Sequence, residues 1–201
     1  MFKQFSNLGQ LILSNNQINF VERQSFNKLA RLSLLKIDNN KLTSLDSSVF
    51  SGYITYFAGS MYLNNNLLST IANFTFSNLT AVNYVDISYN LLQLVDLHAF
   101  SGMTSLTIFK LNNNLISKIV DNSFSTLNNL LSLDLSHNRL TTISANTFNG
   151  LSSLQDLTLK SNNIISFDVN SLNSLPSLKS LNVDNGVIQT TTSLISCSSE
   201  F

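Results

Sequence analysis

Side chains able to serve as nucleophiles, proton carriers or metal ligands are few in this sequence, and they are scattered. The 201 residues hold one cysteine, Cys197, and two histidines, His98 and His137. A single thiol excludes an intrachain disulfide and a cysteine-rich metal site. No histidine or acidic pattern accompanies Cys197, as an activated nucleophile requires, so it reads as a buried or tail thiol. Paired carboxylates, a glycine loop that would cradle phosphate, a metal-ligand cluster and a nucleophile elbow are all missing from the sequence. No catalytic residue, metal or cofactor is expected, and the chain reads as a non-enzyme.

Charge points the same way. Lys plus Arg equals Asp plus Glu at 11 each, so no net field draws the chain to a nucleic-acid backbone or an acidic membrane. Neither nucleic acid nor direct membrane binding is expected of this segment. The opening residues lack the apolar core of a signal peptide, and no stretch approaches the roughly 20 apolar residues that span a bilayer. Charged residues make up only 11% of a chain rich in Asn and Ser, a composition that by itself suggests disorder.

The placement of the asparagines overrules composition. Asn16, Asn40, Asn66, Asn90, Asn114, Asn138 and Asn162 fall at intervals of 24, 26, 24, 24, 24 and 24. Around each runs one frame, as in Leu130, Leu133, Leu135, Asn138 and Leu140, followed by Ile143, Phe148 and Leu151. A second ladder, Phe26, Phe50, Phe76, Phe100, Phe124 and Phe148, keeps step with it. A helical stripe would recur at 3, 4 and 7 residues, so helices do not explain the pattern.

This frame, L-x-x-L-x-L-x-x-N-x-L, resembles the leucine-rich-repeat family in its 24-residue subtype, common in animal extracellular receptors and matrix proteins. The plant receptor variant carries Gly and Ile-Pro in the second half of each repeat, whereas Pro176 is the sole proline here. The resemblance implies an α/β solenoid bent into a right-handed horseshoe arc, with a parallel concave sheet and a mostly irregular or short-helical convex side. It also implies a non-catalytic scaffold that binds a protein or a glycan.

The residues lead to the same architecture. L-x-L has period two, so Leu133 and Leu135 face one side of a short strand while Ser132, Asp134 and Ser136 face the other. Equal spacing stacks such strands in register, with Leu11, Leu35, Met61, Val85, Phe109, Leu133, Leu157 and Leu181 buried in line. At the corner after the strand the backbone loses its sheet partners. An asparagine side chain both donates and accepts, and so can replace them.

One domain is expected over residues 1–201, with about eight repeats over 8–188, a remnant of a preceding repeat at 1–7 and a degenerate end at 189–201. Phe2 and Phe5 fall on core positions with no cap before them, which makes the chain read as a fragment or truncated product that self-associates through its N-terminal end, with an unusually capped complete protein as the alternative. Gly186 stands where the next Asn is due, Thr191 and Ser196 replace apolar residues, and Gln189 to Ser193 is a polar run. The two extra residues lie in the stretch from Ser51 to Ser60, with Gly52 and Gly59 free to take unusual conformations and Tyr53 in a core slot. Tyr56 and Phe57 are expected to pack.

On the concave face the central column reads Ile12, Lys36, Tyr62, Asp86, Lys110, Asp134, Thr158 and Asn182. The flanking column contains Leu34, Ser60, Tyr84 and Ile108. Leu34, Tyr62, Tyr84 and Ile108 are expected to form one apolar patch, edged by Tyr89, with Asp86, Lys110 and Asp134 as an exposed ladder of alternating charge beside it and Lys36 as a further ligand-binding candidate. Convex positions such as Thr75 and Ser123 are expected outside the core. Asn73 and Asn78 head the two N-x-T sequons and are glycosylation candidates. An extracellular or cell-surface location within a longer protein follows from the resemblance, with a cytoplasmic scaffold as the alternative. The alternative function is a structural piece of a larger receptor or matrix protein.

Overall fold

The computed structural model describes residues 5–27, 29, 31–51 and 57–187. Eight three-residue strands form a single sheet in chain order, every neighbouring pair parallel. They are Gln10–Ile12, Leu34–Lys36, Ser60–Tyr62, Tyr84–Asp86, Ile108–Lys110, Ser132–Asp134, Asp156–Thr158 and Ser180–Asn182. The register is the one the repeat frame requires: Leu35 pairs with Met61, Met61 with Val85, Val85 with Phe109, and Phe109 with Leu133.

The opposite side of the solenoid is built from turns, three two-stranded parallel ribbons and one short 3-10 helix. The ribbons join Ser44–Leu45 to Thr70–Ile71, Leu94–Val95 to Lys118–Ile119, and Thr142–Ile143 to Ser166–Phe167. The helix, Val169–Ser174, starts where the Asp168 carboxylate accepts the Asn170 N–H at 2.9 Å. Between the sides runs the ladder Phe26, Phe50, Phe76, Phe100, Phe124 and Phe148, all six buried. Phe26, Phe50, Phe76 and Phe100 follow one another at ring separations of 5.4, 5.8 and 6.0 Å, within the range of favourable aromatic pairs.

The inward strand residues are buried in line, with one exception. Leu181, in the last strand, is only partly buried, because no described strand stacks on its outer side. Phe5 likewise is 45% exposed rather than packed as Leu29 is, with no described residue stacked on its outer side. Thr75 and Ser123, expected outside the core, are buried at 1% and 2% exposure. Their hydroxyls are turned inward to carbonyls, Thr75 to Ala72 at 2.7 Å and Ser123 to Val120. Phe2, Gly52, Tyr53, Tyr56, Cys197 and the run from Gln189 onward lie outside the described residues.

The two-residue insertion is absorbed before its strand, so the sheet register survives it. Phe57 packs fully, one position ahead of the regular core slot, which falls on exposed Ala58. Gly59 is required here by a close approach: a Cβ would lie 1.9 Å from the Ser33 carbonyl oxygen.

The corner asparagines bond as their side-chain chemistry requires. Asn90 Nδ2 donates to the Leu63 and Ile87 carbonyls at 3.0 and 3.1 Å, and its Oδ1 accepts the Leu68 N–H at 3.0 Å. Asn114 repeats this one turn on, with Ile87, Leu111 and Leu92 at 3.1, 3.0 and 3.1 Å. Each side chain therefore ties together its own strand end, the preceding strand end and the preceding outgoing segment. At Gly186 no side chain exists to continue the series. One residue pair earlier, Asp184 Oδ2 accepts the N–H of Ser161 at 2.8 Å, where other repeats use a backbone carbonyl.

Replacing Asn114 by Leu leaves the Leu92 N–H without a partner in the core and removes one of the two amide donors on each of the Ile87 and Leu111 carbonyls, which keep Asn90 and Asn138. We expect a loss of about 2 kcal/mol, from one unsatisfied buried donor costing about 1–3 kcal/mol together with two weakened carbonyl sites. Chemical denaturation checks this. The contrasting variant Asn16→Leu, at an exposed corner, should cost much less.

Candidate functional site on the concave sheet

The sheet geometry brings the sequence-selected residues together. Lys36 pairs with Tyr62, Tyr62 with Asp86, Asp86 with Lys110 and Lys110 with Asp134, while Leu34, Ser60, Tyr84 and Ile108 form the adjacent column. The Tyr62 and Tyr84 rings, diagonal neighbours on adjacent strands, lie 5.1 Å apart at an interplanar angle of 37°. The Lys36 ammonium sits 4.8 Å from the Tyr62 ring centroid and the Lys110 ammonium 5.9 Å from that of Tyr84. The cluster is thus two phenol rings clamped between two cations, each arrangement attractive through the negative ring face. Leu34, Tyr62 and Tyr84 are half-buried, and Ile108 is exposed.

The carboxylates behave differently from the expected exposed ladder. Asp86 is buried: its Oδ1 accepts from the Ser88 N–H and hydroxyl at 2.9 and 2.5 Å, and its Oδ2 faces the Tyr84 hydroxyl at 3.4 Å. Asp134 makes the same closed turn with Ser136, at 2.9 and 2.6 Å. These acids are occupied by their own strand ends, because a serine two residues on offers two donors to one oxygen. The serines at that spacing, Ser88 and Ser136, were the signal in the sequence. Lys36 and Lys110 remain the charged groups of the patch whose donors are free of an ion pair among the described residues.

Burial pushes the Tyr84 hydroxyl above its ordinary pKa; the Asp86 carboxylate adds to the rise and the Lys110 ammonium opposes it. Lys110 is raised as well, first by Tyr84, against partial desolvation and with help from Asp86 and Asp134. Both groups therefore stay protonated through neutral pH. Their contribution to stability is present below the unfolded values and is lost as pH climbs through the folded ones in the alkaline range.

A second column was not anticipated. The residue before each corner asparagine has a left-handed backbone, with φ of 59° at Asn15, 55° at Asn39, Asn65 and Asn113, 54° at Tyr89, 53° at His137 and 58° at Ser161. Asn is the side chain that tolerates this conformation best, and a bulky residue there is an outlier. Tyr89 holds it while 54% exposed, three residues past the strand that carries Tyr84. His137 is exposed in the same column, and His98 instead stacks on Phe74 at 4.7 Å on the convex side. No group of His, Cys, Asp or Glu among the described residues could hold a metal ion. Asn73 is exposed and Asn78 half-buried, both on the convex segment.

With this geometry in view, comparison with known proteins is direct. The family model described as Leucine rich repeat matches residues 1–53, 59–116, 104–164 and 132–188. The chain belongs to the leucine-rich-repeat family. A search of curated proteins gives no match. Among solved structures, the leucine-rich-repeat chain is similar to the protein in "Crystal structure of TLR13-ssRNA13 complex", at 28% identity and a TM-score of 0.84. The match covers 91% of this chain and 26% of that one.

If the left-handed backbone at Tyr89 is strained, then Tyr89→Asn should stabilise the fold by about 0.5–1 kcal/mol, since it supplies the residue this column favours. That corresponds to a rise of roughly 1–4 °C in Tm for a chain of this size. Calorimetry on the two proteins checks it, and an unchanged or lower Tm would show that the ring makes compensating contacts.

Proposed function

We propose that this leucine-rich-repeat segment is a non-catalytic recognition module that binds a protein or glycan through its concave sheet, centred on Tyr62 and Tyr84. The observation that supports this is the ring pair held between Lys36 and Lys110 on a rigid parallel sheet. Aromatic side chains fixed in this way present large area at low entropic cost, the property of interface anchors. Leu34, Ile108 and Tyr89 widen the patch, while Asp86 and Asp134 hold the strand ends beneath it. The extracellular or cell-surface setting, glycans on Asn73 and Asn78, and membership of a longer receptor or matrix protein belong to the same reading.

Single-stranded RNA is the second reading. It is favoured by the similar structure, a TLR13–ssRNA13 complex, and by two rings flanked by two ammoniums, a stacking platform with phosphate partners. The balanced net charge of the chain argues against long-range attraction of a polyanion.

The test selects peptides from a displayed library, screens a glycan array and titrates a ten-nucleotide oligouridine in parallel. Tyr62→Ser with Tyr84→Ser should weaken the selected peptide or glycan by about 30-fold, equivalent to about 2 kcal/mol, because an anchor pair is removed. Asn73→Ala with Ser77→Ala, on the exposed convex side, should leave binding unchanged. Equal binding by the tyrosine double variant would overturn the concave assignment. Tight oligouridine binding that falls steeply with salt would favour RNA.

Self-association through the N-terminal end is part of the proposal. It is supported by Phe5, Ile12 and Phe20, which are 45%, 58% and 62% exposed at that end. A cavity of about 360 Å³ opens beside Phe20, lined by Leu13, Ile18, Val21, Phe26 and Ile37. Sedimentation at tens of micromolar should show association that Ile12→Ser with Phe20→Ser removes; a monomer in both would rule it out.

A further inference from the structure

We propose that the edge of the sheet just past the corner asparagines is a second contact surface, built for an amphipathic helix with acidic ends presented by a partner protein. The edge is the column of residues that directly follow each asparagine. In chain order it reads Gln17, Lys41, Leu67, Leu91, Leu115, Arg139 and Asn163, and the contact surface is the five-residue run from Lys41 to Arg139.

The column is rigid and regular. The backbone N–H groups of these five residues donate to Ile18, Leu42, Leu68, Leu92 and Ile116 at 2.8, 2.8, 2.9, 2.9 and 2.8 Å. Each therefore hangs on the preceding repeat in the same way, and its side chain is left outside the core slot occupied by the next residue. Leu67 and Leu91 are each 41% exposed, Leu115 is half-buried, and Leu94, three residues past Leu91, is 44% exposed. Exposed leucines scattered singly need no explanation, but Leu67 and Leu91 with the half-buried Leu115, in adjacent repeats of one column, form a stripe.

Position and charge identify the occupant. The stripe coincides with the repeats that carry Tyr62, Tyr84 and Ile108, and Tyr89 stands at the junction of the two surfaces. Lys41 and Arg139, both exposed, close the stripe at its two ends, and neither forms an ion pair among the described residues. An apolar centre between two cations complements an apolar ridge between two anions. Repeats stack at about 4.8 Å, close to the roughly 5.4 Å pitch of an α-helix, so a helix laid across them can seat one side chain per turn between successive leucines. Lys41 and Arg139 are four repeats apart, about 19 Å, which a helix spans in about 13 residues. A nucleic acid is disfavoured, because the three central repeats offer leucine at this edge where a phosphate would need a cation.

The test uses a synthetic amphipathic helix of about 18 residues with leucines at i, i+3, i+4 and i+7 and glutamates at both ends, alongside a copy with lysines at both ends. Fluorescence anisotropy should show binding of the glutamate-ended peptide, weakened at least about tenfold by Leu67→Ser with Leu91→Ser. Lys41→Glu with Arg139→Glu should weaken that peptide and favour the lysine-ended one. Ile165→Ser, removing an 88% exposed apolar side chain elsewhere, should change nothing. Circular dichroism verifies that each variant stays folded, as expected for exposed positions.

Absence of binding, or binding indifferent to the leucine variants, would overturn the inference. Binding lost only in Tyr62→Ser with Tyr84→Ser would also overturn it, while leaving the concave recognition reading in place. Self-association removed by the leucine variants, without peptide binding, would assign the edge to a second copy of the chain instead.

Discussion

Every other feature of this molecule depends on how the buried corner of each repeat satisfies its backbone. A strand three residues long must turn inside a dry interior, where a carbonyl or amide without a partner costs about 1–3 kcal/mol. One asparagine per repeat supplies two donors and an acceptor to three backbone segments, as Asn114 does for Ile87, Leu111 and Leu92. Because those segments belong to two repeats, the same side chain that closes one corner fixes the distance to the neighbouring one. The parallel register, the phenylalanine spine and the columns on the sheet are consequences of that repeated length.

The corner also sets a condition on the residue before it. The left-handed turn there is met by asparagine at most repeats and by Tyr89, His137 and Ser161 at the others. A side chain in this conformation points off the sheet, so the same geometry that strains a tyrosine also displays it. The exposed Tyr89 ring is accommodated without disturbing a hydrogen bond of the corner itself, which runs from the Tyr89 N–H to the Asn112 carbonyl at 3.1 Å.

Much of this was legible because a repeat samples the same physical problem several times. The inward residues from Leu11 to Leu157, the donor and acceptor roles of the asparagines, and the pairing of Lys36 with Tyr62 or Asp86 with Lys110 all follow from spacing alone. What spacing does not encode is the local competition for a side chain. Asp86 looked like an exposed charge because it alternates with lysines; Ser88 and Tyr84 claim its oxygens and draw it under the surface. Thr75 and Ser123 looked like convex surface because they are polar, yet each hydroxyl closes a turn onto a carbonyl three residues back. Leu181 and Phe5 looked like core because their frame is core, but burial in a solenoid requires a neighbour on both sides.

The division of labour among charges follows from the same reasoning and bears on recognition. A sequence with equal numbers of acids and bases is neutral in sum, but neutrality says nothing about which charges remain available. On the concave sheet the carboxylates of Asp86 and Asp134 are spent on serine donors of their own strand ends, whereas the ammoniums of Lys36 and Lys110 rest beside the Tyr62 and Tyr84 rings and form no ion pair among the described residues. The patch therefore presents an apolar centre with positive flanks although its residue list is balanced. A partner would meet that local arrangement at contact, while the balanced total governs only the approach from beyond a Debye length of about 8 Å.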